Sequence, residues 1–140
     1  MLATVKAYFH RVYQRYKSQR DGRTRSVYRI CHDSNAMIVS SLTMENVTGQ
    51  TVVHWRDVIR VEAFKRDLFA VDQICLAFIE NGNLEVEINE EMDEFGSLVE
   101  KLPDYLPGCQ TFEEWFRPVA IPAFELNLRV IYERGDVTAT

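Results

Sequence analysis

Residues 73–89, QICLAFIENGNLEVEIN, decide the fold. Two apolar-rich runs, Gln73–Glu80 and Leu84–Asn89, flank Asn81-Gly82, the strongest short-range signal for a β-hairpin. Two registers compete. A two-residue Asn-Gly turn pairs Ile79 with Leu84 and sets Phe78 against Glu85. A three-residue loop, Glu80-Asn81-Gly82 with a glycine bulge, pairs Phe78 with Leu84, Leu76 with Val86 and Ile74 with Ile88. The second is expected, because burying six large apolar side chains at about 1.5–3 kcal/mol each outweighs a turn preference. In both registers Glu85 and Glu87 point away from Leu84, Val86 and Ile88.

Upstream of the hairpin, Val58–Arg66 reads as a strand in which Ile59, Val61 and Ala63 alternate with Arg60, Glu62 and the out-of-pattern Phe64. Ser26–His32, Met37–Leu42 and Thr51–Trp55 are further strands, with turns at Asp33-Ser34-Asn35 and Thr48-Gly49. Downstream, Phe95, Leu98, Val99 and Leu102 fall at i, i+3, i+4 and i+7, so a helix is expected over about 91–102 with Pro103 closing it. Pro107-Gly108 marks a turn. Thr111 followed by Glu114 is a capping box that predicts a short helix over 112–116, after which Pro118 and Pro122 enforce an extended crossing. Alternation from Phe124 to Glu133 predicts a last strand. At the other end, Leu2, Val5, Phe9, Val12, Tyr13 and Tyr16 share one arc of a helix over 2–19, ended by Asp21-Gly22.

Charge is distributed unevenly along this pattern. Residues 1–30 carry a net charge of +7 and the remainder −12, giving −5 in all. The length and the 46% apolar and 26% charged content fit one globular domain spanning 1–140: a basic N-terminal helix over 1–20 and a β-rich core over 26–134. No apolar run is long enough to span a bilayer, and the opening MLATVKAYFH lacks a signal-peptide core. Cys31, Cys75 and Cys109, odd in number and without CxxC spacing, imply free buried thiols in a reducing cytoplasm.

Binding chemistry concentrates in two places. The stretch Glu80–Glu94 holds seven acids and no base. Glu85, Glu87, Glu90, Glu91, Asp93 and Glu94 are the expected docking surface for a basic partner protein. The competing interpretation is a solvated strand face and acids favouring a helix N-terminus. Lys6, Arg11, Arg15 and Lys17 on the N-terminal helix form the alternative site, for an anionic membrane surface. An isoelectric point of 5.2 argues against nucleic acid. No cofactor is implied, since no GxGxxG or Walker loop occurs. No metal site is implied either, since Cys31 and His32 point to opposite faces of a strand. Catalysis lacks its framing: no GxSxG occurs and no serine or cysteine is visibly paired with a histidine. The segment Lys65–Asp72 reads as a loop held by its own ion pairs, and Trp55, Trp115 and Phe116 as core anchors.

From about residue 36 to 134 the chain resembles a family of small, uncharacterised bacterial proteins. The matching stretches are HWRDVIRVEAFKRDLFAVDQICLAF, the EEM before the second helix, LPGC, and WFRPVAIPAF before the last strand. The resemblance implies a pleckstrin-homology-like barrel, from which the strand after the helix departs. It also implies, by analogy, an immunity-like protein that neutralises a toxin, and it carries no catalytic residues. The expected fold is thus α+β: a curved antiparallel sheet or partly open barrel, with an N-terminal amphipathic helix and a helix after the central hairpin. The expected function is a non-enzymatic binding module.

Overall fold

A computed structural model of the chain describes residues 27–43, 46–67, 72–82, 84–121 and 127–135. The expected helix over 2–19, with Lys6, Arg11, Arg15 and Lys17, lies outside the described residues. Within them the fold is α+β, with two antiparallel sheets, seven strands, two α-helices and no closed barrel. Strands β1 (Val27–His32), β2 (Ala36–Thr43) and β3 (Asn46–His54) form one sheet in that order. Strands β4 (Val58–Asp67), β5 (Asp72–Glu80), β6 (Glu85–Asn89) and β7 (Leu128–Glu133) form the other, in the order β6-β5-β4-β7. Helix α1 (Phe95–Tyr105) follows β6, and α2 (Phe112–Ala120) precedes β7.

The central hairpin forms, in neither expected register. Phe78 pairs with Val86 and Leu76 with Ile88, and the Glu80 N–H donates to the Leu84 carbonyl. Asn81 and Gly82 therefore lie in the loop, and Gly82 takes a φ of 86° that only glycine adopts without strain. This shift is two residues from the chosen register, so each side chain keeps its face. Its cost falls at the ends: Leu84 is left 64% exposed, and buried Glu90 stands beside Ile74, where a sixth apolar residue was expected. Strand β5 is buried on both faces from Gln73 to Phe78.

Three bulges move residues away from simple alternation. Between β2 and β3, Ser41 pairs with Gly49 and Leu42 with Val47, so Thr48-Gly49 lies inside β3 and is not a turn. In β4 the register shifts between Val58 and Arg60, so Val58 and Val61 are both buried while Ile59 is only half-buried. Between β4 and β7 the register shifts between Val61 and Glu62, opposite Tyr132 and Val130; Ile131 is buried, and Leu128 and Val130 are exposed. Each bulge adds one unpaired residue, which flips the parity of everything beyond it.

The helices also run further than their prolines suggest. Pro103 lies inside α1 and Pro118 inside α2. Beyond each the i→i−4 ladder resumes, with Leu106 N–H bonded to the Leu102 carbonyl and Ile121 N–H to that of Arg117. Each proline removes one donor near a helix end, where tertiary packing of the apolar face holds the turn. Helix α1 begins at Phe95, after Glu94 in the left-handed region at φ 72°, so the expected helical residues 91–94 form the turn before it. At α2 the capping box is present, with the Thr111 N–H donating to the Glu114 carboxylate at 2.8 Å.

The core is one cluster. Trp115 from α2, Phe95, Leu98 and Leu102 from α1, and Leu76, Phe78 and Ile88 from the hairpin are all buried, as is Trp55 in the 3-10 turn before β4. Trp55 and Trp115 are thus the expected anchors, and Phe116 packs half-buried beside Phe112. β1 is tied to the turn before α1, where Ile30 N–H bonds the Asp93 carbonyl and Asp93 N–H that of Tyr28. Of the cysteines, Cys75 and Cys109 are free and buried; burial pushes both thiols up to about 12. Cys31 is exposed, contrary to expectation, because it faces away from the core beside buried Ile30.

Candidate functional site

The acidic stretch divides between strand β6 and the turn that follows it. On β6, Glu85 pairs with Ile79 and Glu87 with Ala77, so both carboxylates lie on the sheet face opposite Leu76 and Phe78, as their spacing requires. Glu87 holds Arg66 at 2.8 Å across the small side chains of β5, and that guanidinium also sits 5.5 Å over the Phe64 ring. The pairing raises the Arg66 pKa. Glu91 accepts from the Gln73 side-chain amide at 2.8 Å, on the same face. Glu90 is buried, and its carboxylate accepts the Ile74 N–H at 3.0 Å, tying the start of β5 to the end of β6. Burial raises the Cys75 thiol pKa, and the surrounding carboxylates of Glu87, Glu90 and Glu91 push the same way, while Arg66 opposes them.

The other two acids belong elsewhere. Asp93 pairs with Arg29 of β1 at 3.6 Å, and Glu94 lies near enough to His32 to oppose the lowering of its pKa by burial. Five of the six expected residues are therefore at least partly accessible, and Glu90 is not. Glu87, Glu91 and Asp93 have protein partners, whereas Glu85 and Glu94 are exposed with no side-chain hydrogen bond or ion pair among the described residues. The sequence did not reveal this division, because partners such as Arg29, Arg66 and Gln73 lie outside the acidic run.

A second constellation escaped sequence analysis altogether. His32, at the end of β1, sits 2.7 Å from the Tyr105 hydroxyl through Nδ1 and 2.9 Å from the Ser97 hydroxyl through Nε2. A serine is thus paired with a histidine after all. The two are separated by 65 residues, which no spacing rule detects. Tyr105 stacks on Trp55 at 5.1 Å, and the Trp55 indole N–H donates to the Asp33 carbonyl at 2.7 Å. In a nucleophilic triad a carboxylate on Nδ1 stabilises the imidazolium as it forms. Here a neutral phenol occupies that position, and burial raises the Tyr105 pKa further. Burial also lowers the His32 pKa, reinforced by Lys101 and opposed by Glu94 and Asp33. The arrangement therefore acts as a clasp holding α1 to β1.

The sign of its pH dependence follows from that lowered pKa. The unfolded chain takes up the His32 proton near 6.5, before the folded chain does. The clasp's contribution is complete above about pH 6.5 and is lost as the pH falls through the lower folded-state value. Thermal melting followed from about pH 7.5 to about pH 5.5 should show a decline that His32→Gln reduces. An unchanged pH dependence in that variant would remove the role assigned to His32.

Among the described residues no group of three or more His, Cys, Asp or Glu side chains is placed to hold a metal ion. Likewise, no helix among them is long and apolar enough to cross a membrane. Within Lys65–Asp72, of which residues 68–71 lie outside the described residues, buried Lys65 and half-buried Asp72 form the expected kind of ion pair at 3.5 Å, from the facing strands β4 and β5. No known protein family, curated protein or solved structure matches this chain.

Proposed function

We propose that this protein is a non-enzymatic protein-binding module that docks a basic partner through the solvent face of β6 and the turn behind it. One observation carries this: of seven acids between residues 80 and 94, with no intervening base, only Glu90 is buried. Glu85 and Glu94 supply uncommitted charge, and Glu87, Glu91 and Asp93 supply carboxylates already fixed in place by Arg66, Gln73 and Arg29. Charges pre-positioned in this way cost less ordering on binding than free side chains do. The order of strands followed by a helix fits the pleckstrin-homology-like architecture implied by the resemblance, and an acidic docking face suits an immunity-like protein.

The partner contacts divide the test residues. Reversing Glu87 or Glu91 would break a contact within the sheet, whereas reversing Glu85 and Glu94 would not. Glu85→Lys/Glu94→Lys should therefore leave thermal melting unchanged and abolish pull-down of a basic partner from extracts of the source cell. Retained pull-down by the double variant would show that the face is wrong.

A further inference from the structure

The outward face of the four-stranded sheet combines exposed apolar side chains with an excess of carboxylates. Leu128 of β7 pairs with Phe64 of β4, and Phe64 with Cys75 of β5. In the next row Val130 pairs with Glu62, and Ala77 lies between Glu62 and Glu87. Both rows point away from buried Val61, Ala63 and Leu76. Leu128 and Val130 are 59% and 39% exposed, and Phe64 is half-buried. Along these strands Glu62, Glu85, Glu87 and Glu133 outnumber Arg60 and Arg66 on the same face. Arg60 is paired with Glu62 and Arg66 with Glu87, which leaves exposed Glu85 and Glu133 as the excess negative charge.

Residues 1–20, which lie outside the described residues, have the complementary composition. They contain Lys6, Arg11, Arg15, Lys17 and Arg20 and no acid, with Leu2, Val5, Phe9 and Val12 on the apolar arc expected of them. The described chain begins at Val27, beside the acidic turn, since the Tyr28 carbonyl accepts the Asp93 N–H at 3.0 Å. Glu91, in the same turn, bonds Gln73 on the outward face of the sheet. Residues 21–26 can span up to ~20 Å, whereas crossing four strands takes ~15 Å. A segment tethered this closely meets the face at an effective concentration of about millimolar.

We propose that residues 1–20 dock on the outward face of the four-stranded sheet and occupy the surface offered to a basic partner. The apolar arc covers Leu128, Val130 and Phe64, and the bases meet Glu85 and Glu133. Charge and tether together select this occupant. A second copy, at a net −5, is repelled by the same face. A partner must then displace the segment, which makes it an internal competitor. The competition rests on the docking function proposed above; the occupancy itself does not.

Trypsin reads the occupancy in the full-length protein, because it cuts after the segment's own bases. Cleavage at Lys6, Arg11 and Arg15 should be at least ~10-fold slower in the wild type than in Leu128→Asp or Glu85→Lys, since a docked segment is cut only when it opens. Val52→Lys, at an exposed position on the other sheet, should leave the rate unchanged. Circular dichroism establishes that each variant is folded, and Glu85→Lys, at an exposed hairpin position, decides the matter if Leu128→Asp is not. Equal rates in the wild type and both variants, or equal acceleration by Val52→Lys, would overturn the proposal. So would protection that disappears on dilution, which places the segment on another copy, or protection that requires anionic phospholipid vesicles. Protection without any captured partner would sink the docking function and leave the occupancy standing; pull-down that depends on Glu85 and Glu94 without protection would do the reverse.

Discussion

Trp115→Ala should lower the free energy of unfolding by about 3–5 kcal/mol, the range for removing a large buried aromatic side chain. Trp115 is fully buried where α2 packs on β4, β5 and β7. Its ring lies 5.2 Å from that of Phe112 in an edge-on arrangement, and Phe112 in turn stacks on Phe116. The helix is only nine residues long with a proline inside, too short to persist without tertiary contacts. Losing its anchor should therefore release α2 as a unit. Domains of this size are stable by about 5–15 kcal/mol, so the variant should sit near the edge of folding at physiological temperature. Urea denaturation measures the effect directly. A loss below about 1 kcal/mol would mean that α2 is not part of the cooperative core.

Lys65→Ala should cost about 3 kcal/mol by the same measurement, an effect out of proportion to a single charged residue. Lys65 is 1% exposed on β4. Its ammonium meets Asp72 of β5 at 3.5 Å and donates to the Ala120 carbonyl at 3.0 Å. Ala120 is the last residue of α2, where backbone carbonyls carry the negative end of the helix dipole. The one cation thus joins the β4–β5 hairpin to the end of the helix that covers it. Alanine takes a buried cation away from a half-buried carboxylate and a helix-end carbonyl, so the loss should exceed that of a surface pair. Lys65→Arg keeps the charge and should recover part of the stability. Equal losses in both variants would show that packing, and not charge, holds this junction.

What could be read in the sequence, and what could not, divides by the range of the interaction. Turn and cap signals act locally, and three of them hold, whereas the Thr48-Gly49 turn does not: Asp33 accepts the Asn35 and Ala36 N–H groups, Gly108 takes a positive φ, and Thr111 and Glu114 form the capping box. The faces of β5 and β6 were also legible, because a two-residue slip preserves parity. Bulges at Ile59, Thr48-Gly49 and Ile131 were not, since an unpaired residue is decided by the partner strand. Pro103 and Pro118 were misread as stops because a proline forfeits one donor locally, while the apolar face that keeps the helix going is satisfied elsewhere. For the candidate site, the acidic run and its outward spacing on β6 were evident. The burial of Glu90 and the partners of Glu87, Glu91 and Asp93 were not, since they arise from β1, β4 and β5. The His32–Ser97–Tyr105 clasp was hidden for the same reason.

The most direct test of the binding proposal is the salt dependence of affinity for the captured partner, compared between wild type and Glu85→Lys/Glu94→Lys. An electrostatic interface predicts tight wild-type binding that weakens by about tenfold or more as ionic strength rises and screening shortens, with the double variant weak throughout. Binding that ignores salt, or that is equal in the two proteins, would contradict docking through this acidic face.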